Sequence, residues 1–428
     1  MGASLDNHVR SFDEGRGLRR MPIFLVDADA FFVAVARLAD PEGAGREPLL
    51  IVGGSAASRG VVCSASYETR KFGVRSAMSI AQALRLCPGA MCVPVPRRAC
   101  DEKSRQIRDI LLRYTPLVEG ASIDEWYLDL AGTEALYAAE PLARIAQRIR
   151  DAVRAESALS VSIGGGSNKL VAKLAVELAK PKPGTHGTGV HVVAAGAEAE
   201  FLTQFALADI PLIGPRFQER LRRYGMTAVR DVLLHDVDTL ISWFGEREGR
   251  WLFDRAHGVD GGVVRPDGET RSISREDTFA SDVSDSATLE RELLRLVARA
   301  AADLRAEGLT ARTITVKLRD FDFTTRQSSR TLDAGVLSDR PINETARALL
   351  HRLRAARRCK ARLLGVTLSS LAPATTDTQL GLFVDAGAPT LESPRDRAIA
   401  RVVDELRARF GDQAIGPGSL TRGKRPSA

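Results

Sequence analysis

The feature that most constrains the fold of this chain is a short apolar run that ends in an acid. The residues from Pro22 to Val26 are apolar, and Asp27 follows them directly. A run of this length bounded by a charge is typical of a strand buried inside a sheet. The sequence therefore predicts a buried strand that carries the carboxylate of Asp27 at its end, with Asp29 close behind.

A second pair of acids, Asp124 and Glu125, lies far along the chain. Neighbouring residues on a regular strand point to opposite faces, so this pair should lie at a turn or at the irregular start of the segment WYLDL. Carboxylate oxygens are ligands that Mg²⁺ prefers, and two such ions support phosphoryl transfer. A single acidic pair is more often part of a solvated surface, so the two clusters indicate a metal site only in combination.

Residues 167–180, SNKLVAKLAVELAK, have the spacing of an amphipathic helix, with Ser167 as the expected N-cap and Pro181 as the stop signal. The preceding glycines, Gly164 to Gly166, lack the GxxxxGK[ST] spacing of a phosphate-binding loop. We predict that they form a strand-to-helix turn. The apolar stripe of the helix consists of Leu170, Leu174 and Leu178.

A chain of 428 residues is expected to form about two to four domains. Beyond a linker-like segment near 263–272, apolar and polar residues alternate from Thr313 to Arg319, which is the period of a half-buried strand. Helices between such strands predict a small α+β domain. The other predicted elements are helices near 101–114, 141–156, 286–307, 341–357 and 393–410, strands near 159–163 and 364–368, and short helices with glycine turns over 188–260.

The composition is that of a globular protein, with 44% hydrophobic and 27% charged residues. A formal charge of +7 makes a polyanionic partner plausible. The five cysteines form no CxxC pair, which favours reduced thiols over a disulfide framework. The first twenty residues are polar and no apolar run is long enough to span a membrane, so we expect a cytoplasmic protein without a membrane partner.

Four segments, in this order, resemble the signature segments of the Y-family DNA polymerases, nearest to the bacterial DNA polymerase IV branch: VDADAFFVAV, RGVVCSASYETRKFGVRSAMS, SIDEWYLD and SNKLVAKLAVELAKP. The resemblance extends from about residue 21 to 371. It implies an α+β, multidomain, right-handed polymerase that performs template-directed, error-prone translesion synthesis without a proofreading exonuclease. The implied domains are an N-terminal extension (1–20), a palm (21–30 and 97–187), fingers (31–96), a thumb with a helix-hairpin-helix (188–262), a linker (263–270), a little finger (271–371) and a C-terminal tail (372–428).

The resemblance also implies roles for individual residues. Asp27, Asp124 and Glu125 match the catalytic acids that hold two Mg²⁺ ions, for which Mn²⁺ can substitute, and the Ala28 carbonyl matches a backbone ligand. Phe32 matches the steric gate, a ring that excludes the 2′-hydroxyl of a ribonucleotide. One ring of the Phe31–Phe32 pair is expected only to pack in the core. The nucleotide-binding set is Phe31, Phe32, Ser64, Tyr67, Arg70 and Lys180, with Ser64 where the family often has threonine.

Two segments are candidates for DNA contact. Residues 210–215 resemble a helix-hairpin-helix, whose amides at Ile213 and Gly214 would hold a phosphate, although Leu212 replaces the usual glycine. A plain helical turn is the alternative. In the sheet domain the predicted contacts, for which an ordinary solvated face is the alternative, are Thr315, Lys317, Arg319, Arg326 and Arg330.

Residues 379–383, QLGLF, resemble the peptide with which bacterial polymerases bind the sliding clamp. The anchoring residues would be Gln379, Leu380, Leu382 and Phe383. The expected partners are therefore primer–template DNA, dNTPs and the bacterial sliding clamp, for a monomer associated with the nucleoid.

Two other readings of the sequence differ in class. A non-catalytic accessory protein could keep this fold to bind DNA, but such a protein would not need Asp27, Asp124 and Glu125. A nucleotide cyclase could share a palm, but it would not need the hairpin and the sheet-domain segments that serve DNA.

Overall fold

The computed structural model describes residues 23–137, 140–182, 187–266, 268–374, 391–411, 414–416 and 418. The chain divides into two compact units. The first contains the described residues up to Gly54 and from Val61 to Gly268, and the second contains Ser55–Gly60 and the described residues from Glu269 onward. None of the described helices is long and apolar enough to cross a membrane.

The first unit begins as a mixture of strands and helices and ends as a group of helices. Its strands are β1 (Ile23–Ala28), β2 (Leu50–Gly53), β3 (Val62–Ala65), β4 (Met91–Val93), β5 (Val118–Gly120), β6 (Glu125–Asp129), β7 (Val161–Gly166) and β8 (Val190–Val192). Its helices are α1 (Phe31–Ala39), α2 (Tyr67–Arg70), α3 (Ile80–Leu86), α4 (Arg97–Leu111), α5 (Glu134–Tyr137), α6 (Leu142–Ser157), α7 (Lys169–Ala179), α8 (Glu198–Leu202), α9 (Pro215–Arg223), α10 (Val229–Val232), α11 (Val237–Phe244) and α12 (Glu246–Ala256).

A five-stranded sheet in the order β5-β6-β1-β7-β8 forms the centre of the first unit. Every residue of β1 is buried, which confirms the predicted buried strand. Strand β1 runs antiparallel to β6 and β7, and in this register Asp27 lies opposite Glu125 on one side and Ser162 on the other. Strand β8, which lies within the predicted thumb bounds, extends this sheet in parallel with β7.

The prediction that Gly164 to Gly166 form a turn is wrong, because all three lie inside the buried strand β7. A Cβ atom on Gly164 would lie 2.2 Å from the backbone nitrogen of Val176 and 2.3 Å from the carbonyl oxygen of Ala172. Gly164 and Gly166 therefore let helix α7 approach the sheet closely. The helix that follows was predicted well, and its apolar Leu170 and Leu174 are buried.

The N-cap of helix α7 is Asn168, not the predicted Ser167. The side chain of Asn168 accepts a hydrogen bond from the amide of Val171 at 3.0 Å and donates one to the carbonyl of Gly258 at 2.7 Å. Asparagine and serine cap helices about equally well, so the choice depends on which residue takes the extended backbone conformation. The helix ends at Ala179, as the following Pro181 predicts.

The helical part of the first unit contains one unfavourable backbone conformation, at Leu212. Its φ angle is +74° and its side chain is 81% exposed. A left-handed conformation is unfavourable for a residue with a Cβ atom, and this side chain gains little from packing. The structure thus explains why a glycine is expected at this position.

We expect Leu212→Gly to raise the free energy of unfolding by about 1 kcal/mol, because glycine adopts a positive φ without steric cost. Chemical denaturation monitored by fluorescence measures this change. Leu234→Gly is the matched control: Leu234 is also 81% exposed but is not among the residues with positive φ, so glycine there should destabilise. Equal destabilisation by both substitutions would contradict the prediction.

The second unit is a four-stranded antiparallel sheet covered on one face by two long helices. Its elements are β9 (Ser272–Val283), α13 (Ser286–Ala306), β10 (Leu309–Asp320), β11 (Thr325–Val336), α14 (Asp339–Ala356), β12 (Ala361–Pro373) and α15 (Pro394–Phe410), with the strand order β11-β10-β12-β9. Leu289, Leu293 and Leu296 of α13 pack with the buried residues of β10 and β12 in one core. The predicted α+β domain is confirmed, although the sequence did not single out β9 as a strand.

Candidate active site

The acids predicted from distant parts of the sequence line one cavity of about 180 Å³ at the end of β1. Strand pairing brings Asp27 and Glu125 together, since they are direct cross-strand partners. The residues that line the cavity are Asp27, Ala28, Asp29, Ala30, Phe31, Phe32, Cys63, Ser64, Tyr67, Arg70, Ser76, Asp124, Glu125 and Lys180.

Asp124 precedes the first residue of β6, as the predicted irregular start requires. Its carbonyl accepts a hydrogen bond from the amide of Ala28 at 2.9 Å, which ties this bend to the end of β1. Its carboxylate accepts a hydrogen bond from the Ser122 hydroxyl at 2.5 Å. The bend therefore lets Asp124 and Glu125 line the same cavity although they are adjacent in sequence.

Two lysines form ion pairs with these acids: Lys173 lies within helix α7, and Lys180 follows its last residue. The Nζ atom of Lys180 lies 2.7 Å from Oδ2 of Asp27, and the Nζ atom of Lys173 lies 2.5 Å from Oε1 of Glu125. Burial raises the pKa of Asp27 to about 7, against the opposing effect of Lys180. Burial also opposes ionisation of Glu125, but hydrogen bonds from Lys173 and Asp27 outweigh it and hold the pKa of Glu125 below its usual value.

The donor atoms at the cavity suit a divalent cation of the Mg²⁺ type. Asp27, Asp124 and Glu125 offer hard carboxylate oxygens, which Mg²⁺ prefers to the softer thiol of Cys63 that also lines the cavity. Within the described part of the chain, no group of three or more His, Cys, Asp or Glu side chains is already arranged around a metal position. Lys180, Lys173 and Ser122 each contact one of the acids.

The two predicted aromatic residues occupy different environments. Phe31 is 2% exposed and packs in the main core of the first unit, whereas Phe32 is half-buried and also lines the cavity. Their rings meet edge to face with centroids 5.5 Å apart. The buried ring of Phe31 therefore contacts the ring of Phe32 from the core side. This agrees with the expectation that one ring of the pair packs in the core.

Helix α2 brings two polar side chains, Tyr67 and Arg70, to the cavity. Ser66 caps the helix by accepting a hydrogen bond from the amide of Thr69, which orients Tyr67 and Arg70. The guanidinium of Arg70 lies 5.0 Å from the ring centroid of Tyr67 and donates a hydrogen bond to the Ala65 carbonyl at 2.9 Å. Burial and the charge of Asp29 raise the pKa of Tyr67 to about 12, so its hydroxyl stays a hydrogen-bond donor at neutral pH. Ser64 is buried beside them.

Sequence reasoning missed Lys173 at the site and gave no hydrogen-bond partners for Asp29. Lys173, which pairs with Glu125, lies two helical turns before Lys180, and this spacing alone would have placed both on one face of α7. Asp29 is also buried, and its carboxylate accepts hydrogen bonds from the hydroxyls of Ser160 at 2.9 Å and Ser162 at 2.7 Å. No local pattern connects Asp29 with these two serines of the distant β7 region.

Solved structures of similar fold cover most of the chain. A Y-family DNA polymerase chimera of Dbh and Dpo4 superimposes with a TM-score of 0.73 at 24% identity, covering 82% of this chain and 100% of that one. DinB from Sulfolobus solfataricus gives a TM-score of 0.54 at 25% identity, covering 82% and 98%. These likenesses show the multidomain α/β polymerase fold.

Sequence comparisons identify the family. The impB/mucB/samB family model matches residues 26–177, and the model of that family's C-terminal domain matches residues 270–382. A protein named DNA polymerase IV from Desulfatibacillum aliphaticivorans is 37% identical over 398 residues, covering 93% of this chain and 96% of that protein. DNA polymerase IV 2 of Agrobacterium fabrum is 38% identical over 349 residues, covering 82% and 94%. The chain belongs to the Y-family DNA polymerases. It is thus a member of a family of DNA-directed DNA polymerases.

In the hairpin-like segment of residues 210–215, the two predicted contact residues, Ile213 and Gly214, have different environments. Ile213 is 4% exposed, and its amide donates to the carbonyl of Ile210 at 3.1 Å. That amide is therefore not available for a phosphate, contrary to the sequence-based expectation. Gly214 is the N-cap of helix α9, where a small residue leaves the helix end accessible.

One face of the sheet in the second unit is polar, and the strand register decides which predicted residues belong to it. Thr315, Lys317 and Arg319 lie on this face, opposite the buried side of β10. Arg326 pairs in register with Leu318, and Arg330 pairs with Ile314, both of which are buried on the helix side. These two arginines therefore do not share the polar face of Thr315, Lys317 and Arg319, and their contact with DNA stays a prediction.

Arg326 has a structural partner on the helix side of the sheet. Its guanidinium forms a salt bridge of 2.9 Å with Asp320, which is fully buried, and donates to the carbonyl of Leu353 at 2.5 Å. On the polar face, Lys317 forms a 2.7 Å salt bridge with Glu276 of β9.

Two predicted segments lie outside the described residues. They are the N-terminal residues 1–20 and the clamp-binding residues Gln379, Leu380, Leu382 and Phe383.

Proposed function

We propose that this chain catalyses error-prone translesion DNA synthesis, in which a primer 3′-hydroxyl attacks the α-phosphate of a dNTP and releases pyrophosphate. The observation that carries the proposal is that Asp27, Asp124 and Glu125 line one cavity together with Phe32, Tyr67 and Arg70. Membership of the Y-family supports the same activity.

The three acids are proposed to hold two Mg²⁺ ions, with the carbonyl of Ala28 as a further ligand and with Mn²⁺ as a substitute. When bound, such ions stabilise charge on the attacking and leaving oxygens of a phosphoryl transfer. Lys180 and Lys173 each favour the charged form of the carboxylate beside them. Cations that bind the acids would have to displace these two ammonium groups.

The incoming triphosphate is proposed to bind to Tyr67, Arg70 and Lys180, with Ser64 alongside. Arginine suits bidentate contact with phosphate oxygens, and the Tyr67 hydroxyl can donate one hydrogen bond. Lys180 pairs with Asp27 and lines the same cavity as Tyr67 and Arg70, so it can transfer its contact from the carboxylate to a phosphate. Phe32 is proposed to be the steric gate for the sugar.

Contact with the primer–template duplex is proposed for Gly214 at the start of α9 and for Thr315, Lys317 and Arg319 on the polar face of the sheet. Such hydroxyl and cationic groups hold the phosphate backbone without reading its sequence. The domain bounds proposed for palm, fingers, thumb, linker and little finger are those stated for the sequence, except that β8 is assigned to the palm because it extends the central sheet. A monomer acting on nucleoid DNA in the cytoplasm is the simplest assembly.

Low fidelity is part of the proposal for two reasons. No segment of the sequence resembles a proofreading exonuclease, and small residues such as Ala28 and Ala30 line the cavity. Primer extension with Mg²⁺ on a plain template tests the activity, and a gap-filling assay tests the fidelity. Binding without extension would replace the proposal by the accessory role, and a replicative error rate would contradict the low fidelity.

We further propose that Gln379, Leu380, Leu382 and Phe383 bind the bacterial sliding clamp. Replacing Leu382 and Phe383 by alanine should abolish stimulation by the clamp, because apolar side chains in a pocket supply most of the affinity of such a peptide. Basal extension without the clamp should be unchanged. Extension assays with and without the clamp measure both quantities. Full stimulation of the double variant would rule out this motif.

A further inference from the structure

The turn between β10 and β11 exposes two aromatic rings. Phe321 and Phe323 are 52% and 63% exposed, although both belong to a well-defined turn of the second unit. The amide of Phe321 donates to the carbonyl of Lys360 at 3.0 Å, and the amide of Phe323 donates to that of Asp320 at 3.0 Å. The turn therefore presents the rings from a fixed backbone.

The backbone of Phe323 is in the left-handed region, with φ at +65°. This conformation is unfavourable for a bulky residue, and turns usually place glycine or asparagine there. The exposed ring gains little from packing in the isolated protein. A phenylalanine that is unfavourable for the backbone and exposed to solvent indicates a contact made outside the folded chain.

The charges around the turn favour an anionic partner. The guanidinium of Arg362 lies 4.5 Å from the ring centroid of Phe323, and Arg358 and Lys360 are exposed. The two acids of the turn are already paired: Asp322 lies 2.8 Å from Arg357, and Asp320 lies 2.9 Å from both Arg357 and Arg326. The cations beside the rings are therefore not neutralised by the acids of the turn.

The turn also continues the polar face of the sheet. Arg319, at the end of that face, donates a hydrogen bond to the hydroxyl of Thr325 at 2.8 Å, directly beside the turn. A strand of DNA that leaves the polar face at this end would meet the two rings next.

We propose that Phe321 and Phe323, together with Arg358, Lys360 and Arg362, bind single-stranded DNA, namely the unpaired template strand. Exposed aromatic rings stack on bases of any sequence, and cations beside them pair with the phosphates. This inference rests on the proposed polymerase function in one respect only, which is that the bound single strand is the template. Binding of single-stranded DNA at this turn can be measured without catalysis.

The test is equilibrium binding of fluorescently labelled DNA to the full chain. Two ligands share the same duplex, and only one carries a 5′ template overhang of about 12 nucleotides. Phe323→Gly should lower the affinity for the overhang ligand by about 5- to 100-fold and leave the affinity for the blunt duplex unchanged. The melting temperature should not fall, because glycine adopts the positive φ readily.

Two further variants serve as controls. Phe323→Tyr keeps an aromatic ring and should retain the affinity for the overhang ligand. Phe410→Ala removes a ring that is also 63% exposed but lies on α15, and it should change neither affinity. The proposal is overturned if Phe323→Gly binds both ligands as the intact chain does, or if both affinities fall together. Failure of the intact chain to extend primers would contradict the polymerase instead, since this binding comparison involves no extension.

Discussion

Glu125→Ala is expected to reduce the rate of primer extension by at least about 1,000-fold, equivalent to about 4 kcal/mol in the activation free energy. The carboxylate of Glu125 faces Asp27 across adjacent strands and lines the same cavity as Asp124. Its removal would take away one of the acids proposed to hold the cations. Single-turnover extension with saturating dNTP and Mg²⁺ measures the effect.

The loss of activity should not come from unfolding or from failure to bind DNA. Primer–template affinity of the Glu125→Ala variant should stay within a few-fold of the intact chain, because the proposed DNA contacts lie elsewhere. Asp129→Asn is the matched control, since Asp129 is the other acid of β6 but does not line the cavity. Equal activity of the Glu125→Ala variant and the intact chain would remove Glu125 from the catalytic set.

Phe32→Ala is expected to raise the use of rNTPs relative to dNTPs by about 100-fold. Phe32 is half-buried on the wall of the cavity, with its ring held edge to face by Phe31. A ring held in this way cannot move aside for a 2′-hydroxyl, whereas alanine leaves room for it. The ratio of kcat/KM for one rNTP and its matching dNTP measures the change.

Phe31→Leu separates sugar selection from core packing. Phe31 is 2% exposed, so the smaller side chain should lower the free energy of unfolding by about 1 kcal/mol while the selectivity against rNTPs changes little. If Phe31→Leu relaxed sugar selection and Phe32→Ala did not, the roles of the two rings would be reversed.

Much of the local structure was predictable because it depends on patterns within one segment. The buried β1, the helices α6, α13 and α14 and the alternating β10 all follow from the spacing of apolar residues. Caps and glycines were harder to predict, since Asn168 rather than Ser167 caps α7. The candidate acids and Phe32 were found through a family resemblance, and strand pairing then explains why distant residues line one cavity.

The sequence by itself determined the spacing of apolar residues in each helix and strand. It also determined the candidate acids near the end of β1 and at the start of β6, and the family. Only the tertiary structure decided how close elements approach and which way side chains point. Helix α7 leaves no room for a Cβ atom at Gly164, and Arg326 points to the helix side because of its register with β10. Lys173 faces Glu125 because α7 lies against the central sheet. Helix–sheet distance and strand register depend on partners far away in the sequence, so no local pattern contains them.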